Sequence, residues 1–201
     1  MSSKEQILKA VRNQMVPSVD LPSLEQDWIQ YGDPVAHFGD VLAAVGGTAV
    51  VVEGIDGLAE ALGELPVYVE AKKTVSCIEG LQGTVDLERV DDPHNLEDVD
   101  FALLPGEFAV AENAAVWVTD AAIRQRVVLF IPQHVGLVLH CPSGQVEDAI
   151  VNNMAEAYQK LTWQANQFGC FVSGPSKTAD IEQSLVIGAH GARSLHVFFV
   201  L

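Results

Sequence analysis

The sequence predicts an α/β protein built on a mostly parallel sheet flanked by helices. Two observations lead to this class. Short, almost uninterrupted apolar runs, typical of strands buried on both faces, alternate with amphipathic stretches of helical period. The chain has 201 residues, 49% hydrophobic and 19% charged, which is enough apolar material to bury such a sheet within one domain and too much for a disordered protein.

The chain is predicted to begin with a helical arm, residues 1–34, followed by one domain over residues 35–201. Within the arm, residues 4–14 carry apolar side chains at helical spacing, which predicts a short amphipathic helix. Residues 15–33 contain two prolines, a glycine, a tryptophan and a tyrosine, a composition that indicates an irregular segment packing its aromatic rings elsewhere.

From residue 33 onward, helices and strands are predicted to alternate. Asp33 is placed to cap a helix with Pro34 in its first turn, and Gly46-Gly47 is placed to end it. The next predicted elements are a strand at 48–52, a helix near 57–63, a strand at 66–70, a stretch of undecided type at 74–78 and a strand near 84–90.

The second half of the chain predicts closely spaced strands and then a closing unit. Four apolar runs with little room for helices between the last three indicate strands at 101–104, 114–118, 127–131 and 135–140. Residues 146–163 read as the longest helix. A strand at 170–172, a short helix at about 179–187 and a strand at 195–200 are predicted to form one βαβ unit.

The charge balance argues against a nucleic-acid partner. The formal net charge is −16, and the 11 Lys and Arg residues are scattered along the chain, whereas proteins that track a phosphate backbone present basic patches. No apolar run approaches the length of a spanning helix, and the first residues lack the apolar stretch of a signal peptide. We therefore expect a cytoplasmic protein without a membrane span.

The cysteines predict no intrinsic cofactor. Cys77, Cys141 and Cys170 are odd in number and far apart, so they form neither a disulfide framework nor a metal motif. The histidines show no i, i+4 pair and no Cys/His cluster. We expect no intrinsic metal or iron–sulfur cluster, and any cluster that works with this chain must be carried by a partner protein.

The stretch SGPSKTADIEQSLVIGAHG, residues 173–191, concentrates polar side chains between two apolar runs. It starts at the carboxyl end of a predicted strand and enters a predicted helix, a place where unpaired N–H groups and the helix dipole favour an anion. The alternative is purely structural, with a hydroxyl capping the helix and acidic side chains complementing its dipole. The candidate ligand-binding residues here are Gly174, Ser176, Thr178, Asp180 and Glu182.

Three further residues are candidates for acid–base or nucleophilic chemistry. Glu112, followed by Asn113 as a candidate ligand-binding residue, interrupts an apolar segment just before a strand, where it is either functional or a cap. His134 lies in a break between two apolar runs, and His190 lies in a glycine turn where it can equally be structural. We predict that Glu112, His134 and residues 176–182 converge on one pocket.

At these residues the chain resembles the lactate-utilisation (LUD) domain family, which includes lactate utilisation protein C and YkgG-like proteins. The most specific similarity is in residues 173–182 and 185–191, supported by Ala111-Glu112 and by residues 132–135. The resemblance covers roughly residues 35–201. Where many members have a Glu-Thr-Gly-Thr type sequence, this chain has Glu-Asn-Ala-Ala at 112–115.

The resemblance implies a fold similar to the NagB/RpiA/CoA-transferase group and an association with the oxidation of L-lactate to pyruvate, in which iron–sulfur partner proteins carry the electrons. Two function classes stay open. The chain is a non-cluster component of such a system that binds a small carboxylate or partner subunits, or it is a stand-alone transferase or ligase acting on an acyl, phosphate or folate-type substrate, with Glu112 as nucleophile or base. Self-association is left open in both.

Overall fold

The computed structural model describes residues 2–14, 19–20, 26–162, 164–165, 167–179 and 185–201. Over these residues the α-helices are α1 (Ser3–Asn13), α2 (Pro34–Ala44), α3 (Gly54–Glu64), α4 (Pro66–Val69) and α5 (Met154–Lys160). The strands are β1 (Thr48–Val52), β2 (Thr74–Ser76), β3 (Phe101–Gly106), β4 (Phe108–Val110), β5 (Ala115–Thr119), β6 (His134–His140), β7 (Ile150–Val151), β8 (Gly169–Val172), β9 (Lys177–Ala179), β10 (Leu185–Ile187) and β11 (Ser194–Val200).

The strands form two sheets and a hairpin. The first sheet has five strands in the order β1-β11-β6-β3-β2, and every neighbouring pair in it is parallel. The second sheet has four strands in the order β7-β4-β5-β8 and is mostly antiparallel. Strands β9 and β10 pair with each other as an antiparallel hairpin. The predicted α/β class with a mostly parallel, helix-flanked sheet is confirmed.

The layers follow from which face of each strand is apolar. One face of the parallel sheet packs against α3 and α4. The other face packs against α2 and the second sheet, which together form the largest core. The outer face of the second sheet is covered by α5. One face of the parallel sheet is thus covered largely by another sheet, whereas helices were expected on both faces.

The start of helix α2 forms as its sequence predicts. The Asp33 carboxylate accepts a hydrogen bond from the Ala36 N–H at 2.9 Å, and Pro34 occupies the first turn of α2. The segment before α2 contacts the rest of the protein at Tyr31, whose ring stacks on His37 with centroids 3.7 Å apart and whose N–H donates to Asn152 Oδ1. Helix α1 has no buried residue.

Four predicted elements are wrong. Residues 66–70 form α4 instead of a strand, since Pro66 supplies a preset first helical turn. Residues 84–90 and 127–131 contain the short 3₁₀ helices Leu87–Arg89 and Arg126–Leu129. The long helix expected at 146–163 is divided into a 3₁₀ turn, β7 and α5. Asn153 accounts for the late start of α5, because its side chain accepts from the Glu156 N–H and caps the helix there.

The predicted C-terminal βαβ unit is also wrong. Strand β8 belongs to the second sheet, where it pairs with β5, whereas β11 lies in the middle of the parallel sheet. The short helix expected at about 179–187 is contradicted at both ends, because Lys177–Ala179 and Leu185–Ile187 are strands. Residues 180–184 lie outside the described residues.

Candidate functional site

The described parts of the polar segment, residues 173–179 and 185–191, lie at the amino edge of the parallel sheet. Gly174 has φ +70°, and a Cβ atom there would lie 2.8 Å from Val45 Cγ2 at the end of α2. The Ser176 N–H donates to the Ala192 carbonyl at 2.7 Å, and the Gly188 N–H donates to the Ser176 carbonyl at 2.8 Å. These bonds place Ser176 beside the glycine turn that leads into β11, so the two ends of the segment share one surface.

A cavity of about 290 Å³ opens beneath this segment, between the two sheets. Its floor is the buried face of the parallel sheet, and its opposite wall includes β8. Of the described residues that line it, Ser176 and His190 are the two whose side chains carry strong hydrogen-bonding groups. The lining residues are Leu104, Leu129, Phe130, Val135, Leu137, Cys170, Phe171, Val172, Gly174, Ser176, His190, Gly191, Ala192 and Leu195.

A more open groove of about 500 Å³ adjoins the cavity, because the two share Phe130, His190 and Gly191 as lining residues. The groove adds Arg193 and Gln133, which are joined by a backbone hydrogen bond of 2.7 Å from the Arg193 N–H to the Gln133 carbonyl. Among the described residues, the Arg193 guanidinium has no carboxylate partner. We call the cavity and the groove together the cleft.

The cleft offers binding chemistry at its mouth and apolar surface inside. Arg193 presents a permanent positive charge, and the exposed His190 ring has an N–H donor in either tautomer. Burial raises the pKa of the Cys170 thiol, which stays protonated at neutral pH and is a poor nucleophile. The cleft can therefore hold an anionic group beside an apolar one.

The predicted helix-terminus anion cradle is wrong in its geometry. The backbone of Thr178 lies in β9 and pairs with Val186 of β10, so it belongs to no helix start. Asp180 and Glu182 lie outside the described residues. Of the ligand-binding candidates in this segment, the structure brings Gly174 and Ser176 into the cleft together with His190.

Glu112 and Asn113 lie in the tight turn between β4 and β5. The Glu112 carboxylate accepts a 2.8 Å hydrogen bond from the Met154 N–H at the first turn of α5. The Asn113 side-chain oxygen accepts from the Ala115 N–H, and the Asn113 backbone carbonyl accepts from Ser173 Oγ at 2.7 Å. Glu112 thus has the contacts of a helix cap, and neither residue is among those that line the cleft.

His134 begins β6 and belongs to a hydrogen-bonded chain of side chains across three parallel strands. Ser194 Oγ lies 2.8 Å from His134 Nδ1 and 2.9 Å from His196 Nε2, and His196 Nδ1 lies 2.7 Å from Thr48 Oγ1. We call these four residues the edge chain. Burial, with a contribution from His134, lowers the pKa of His196 to about 4, and burial together with the Arg193 charge lowers the pKa of His134.

The edge chain and the cleft lie on opposite faces of the parallel sheet. Val135 lines the cleft, and successive side chains of a strand point to opposite faces, so His134 points away from it. The predicted convergence of Glu112, His134 and the 176–182 segment on one pocket is therefore wrong for the described residues. Arg193 and Ser194 were not predicted as functional residues. The alternation of Ser194 and His196 with the apolar Leu195 and Val197, both of which are buried, could have placed Ser194 and His196 together on one face of a strand.

A separate cavity of about 370 Å³ lies near the carboxyl end of β2 and includes Cys77, Glu88 and Arg124. Burial raises the pKa of Cys77 to about 11, which keeps the thiol protonated. Arg124 is already paired with Glu88 at 2.6 Å. This cavity therefore presents neither a reactive thiolate nor an unpaired cation.

Over the described residues, no three His, Cys, Asp or Glu side chains come together as a metal site. The expectation that the chain carries no intrinsic metal or cluster stays a prediction. In the same part of the chain, no helix combines the length and apolarity needed to cross a membrane.

Comparisons with known proteins agree with the fold. The LUD domain family model matches residues 41–200. A solved structure of a DUF162 family protein from Deinococcus radiodurans superposes with a TM-score of 0.55 at 18% identity, covering 84% of this chain and 96% of the other. Among curated proteins, no significant sequence match was found.

Proposed function

Because the chain belongs to the LUD domain family, we propose that it is a non-cluster component of an L-lactate utilisation system and binds a small carboxylate in the cleft. The family is associated with lactate utilisation, which supports the pathway. The arrangement of the cleft supports the ligand class.

The observation that carries this proposal is Arg193. Arg193 is exposed and lines the groove together with the exposed donor His190, and its guanidinium has no carboxylate partner among the described residues. A guanidinium presents a fork of donors that matches a carboxylate, and bonds between charged groups are the stronger kind. In a protein of net charge −16, an unpaired arginine provides a local positive field that attracts a small anion.

The same proposal assigns electron transfer to partner proteins. Cys77, Cys141 and Cys170 are widely separated in the sequence, and burial raises the pKa of each. Iron–sulfur ligation needs several thiolates together, so clusters would be carried by other subunits. The stand-alone transferase hypothesis, with Glu112 as nucleophile or base, gains no support from a carboxylate that caps α5.

The test is calorimetric titration of the protein with L-lactate, pyruvate and the uncharged analogue lactamide. We expect both acids to bind and lactamide to bind at least tenfold more weakly, because it lacks the charge that Arg193 recognises. Arg193→Gln should lower the acids' affinity by about ten- to a hundredfold. Arg89→Gln is the matched control, since Arg89 is exposed and pairs with Asp86 away from the cleft.

Equal binding of acids and lactamide, or an equal effect of the two arginine variants, would contradict the proposal. Turnover of acyl or phosphate substrates by the purified chain alone would favour the transferase hypothesis. Lactate oxidation that requires both this chain and an iron–sulfur partner would support the assignment to a lactate utilisation system.

A further inference from the structure

We infer that the cleft recognises a monocarboxylate with an apolar tail, whose carboxylate contacts Arg193 and whose tail enters the cavity between the two sheets. This inference deepens the proposed function and rests on it for the head group. It assigns a ligand class larger and more apolar than L-lactate.

The first reason is size. The inner cavity alone has a volume of about 290 Å³, close to the space that roughly ten water molecules occupy in the liquid. L-Lactate offers a single methyl group beyond its polar atoms, so it would leave most of this volume unfilled. A concave space of this size lies at the lower end of the range for small-molecule sites, which runs from about 300 to about 1,000 Å³.

The second reason is the lining. Leu104, Leu137 and Leu195 lie behind the cavity on the parallel sheet and are each 0–1% exposed. The apolar surface that a ligand can reach belongs to the exposed Phe130 and the half-buried Val172 and Ala192. Val172 and Cys170 lie on the opposite wall, and burial keeps the Cys170 thiol uncharged by raising its pKa. A water molecule needs two to four polar partners to be held stably, and these apolar side chains offer none. Methylene groups or a ring gain free energy in the same place.

The third reason is the position of the polar groups. Ser176 and His190 are at the edge of the cavity, and His190 also lines the groove that contains Arg193. The exposed Phe130 ring lies at the junction of cavity and groove. A ligand that crosses this junction places its charge at Arg193 and its tail between the two sheets, against Val172 and Ala192. The volume sets the tail at about five to eight carbon atoms.

The experiment is calorimetric titration with a series of straight-chain acids from acetate through butanoate, hexanoate and octanoate to decanoate, and with the matching alcohols. Affinity should rise about fourfold for each added methylene, the value for burying one such group, and level off near octanoate. Alcohols of equal length should show the same rise from a weaker starting point.

Two variants separate the head from the tail. Ala192→Leu partly fills the cavity, so it should lower octanoate affinity far more than acetate affinity. Val172→Phe gives the same comparison from the opposite wall if Ala192→Leu fails to fold. Arg193→Gln should weaken all acids by a similar factor and leave the rise with chain length intact.

Each outcome decides between the two proposals. Affinity that is independent of chain length overturns the apolar-tail inference, while tight binding of short acids would still support the proposed function. Equal binding of acids and alcohols, both rising with length, supports the cavity and contradicts the carboxylate assignment. Failure of every acid and alcohol to bind overturns both.

Discussion

The cleft and the edge chain lie at the same amino edge of the parallel sheet, on opposite faces, and both contain histidine. In the edge chain the polar atoms satisfy one another, since Ser194 bonds both His134 and His196. In the cleft the side chains of His190 and Arg193 have no hydrogen-bond or ion-pair partner among the described residues. Satisfied polar groups stabilise a fold, whereas unpaired donors beside an apolar cavity are available to a ligand.

The largest expected effect is on the turn that supports the cleft. Gly174→Ala should lower the free energy of unfolding by about 2–4 kcal/mol, because φ is +70° and the new Cβ would meet Val45. Urea denaturation measures this loss. Gly32→Ala is the control, since a Cβ at Gly32 has no atom within 4 Å. Equal stability of the two variants would show that the turn does not need glycine.

Loss of the central hydroxyl of the edge chain should lower the stability of the protein and leave its affinity for carboxylates unchanged. Ser194→Ala leaves the facing nitrogens of His134 and His196 without their partner, which should cost about 1–3 kcal/mol of unfolding free energy. Ser194→Thr keeps the hydroxyl and should retain most of the unfolding free energy that Ser194→Ala loses. If Ser194→Ala instead lost much of its carboxylate affinity at unchanged stability, the edge chain would be part of the binding site.

The edge chain also predicts how stability depends on pH. The pKa of His196 is about 4 in the folded protein against 6.5 ordinarily, so the unfolded chain binds more protons between these values. The contribution of neutral His196 to the free energy of unfolding is fully present above about pH 6.5 and is lost as the pH falls toward 4. The lowered pKa of His134 acts in the same direction. We expect the free energy of unfolding to fall by about 1 kcal/mol between about pH 7 and about pH 5. This value is reduced from the full linkage effect because His196 is partly exposed to solvent.

Denaturation of wild type and His196→Gln at several pH values measures this dependence. The variant removes the titrating ring and should show a flatter profile. The same slope in both proteins would mean that His196 does not titrate as its burial requires.

The smallest expected effect concerns Glu112. Glu112→Ala removes the acceptor for the Met154 N–H and should lower stability by about 0.5–1 kcal/mol. Glu112→Gln keeps an acceptor oxygen and should lose less. Thermal melts compare the two. Loss of an enzymatic turnover in Glu112→Gln without loss of stability would instead favour the stand-alone transferase hypothesis.

Strands with long apolar runs were predicted well. β1 matches its predicted range, and β6 and β11 differ from theirs by one residue at their starts. Residues 66–70 were mispredicted because a short apolar run fits a strand or a helical turn, and Pro66 starts a helix there. The helix predicted from the spacing at 146–163 starts only at Met154, because Asn153 caps it at that point. The second sheet was not predicted, because hydrophobic periodicity identifies a strand but not the sheet that it joins.

The candidate site was found in part for the same reason. Gly174, Ser176 and His190 stand out by composition, and the structure brings them into one cleft. Arg193 was not singled out, because a lone arginine has no sequence signature until its ion-pair partners are known. The assignment of the edge chain needed contacts between residues 60 and 148 positions apart.

The sequence by itself determined where the long apolar strands β1, β6 and β11 run, where Asp33 starts a helix and which segment carries the polar groups, because these depend on local periodicity and turn chemistry. Tertiary structure decided that β8 joins the second sheet, and that His134 and Val135 face opposite sides of the first. Local propensity does not encode these choices. They follow from strand pairing between distant segments, in which a shift of one residue turns every side chain to the other face.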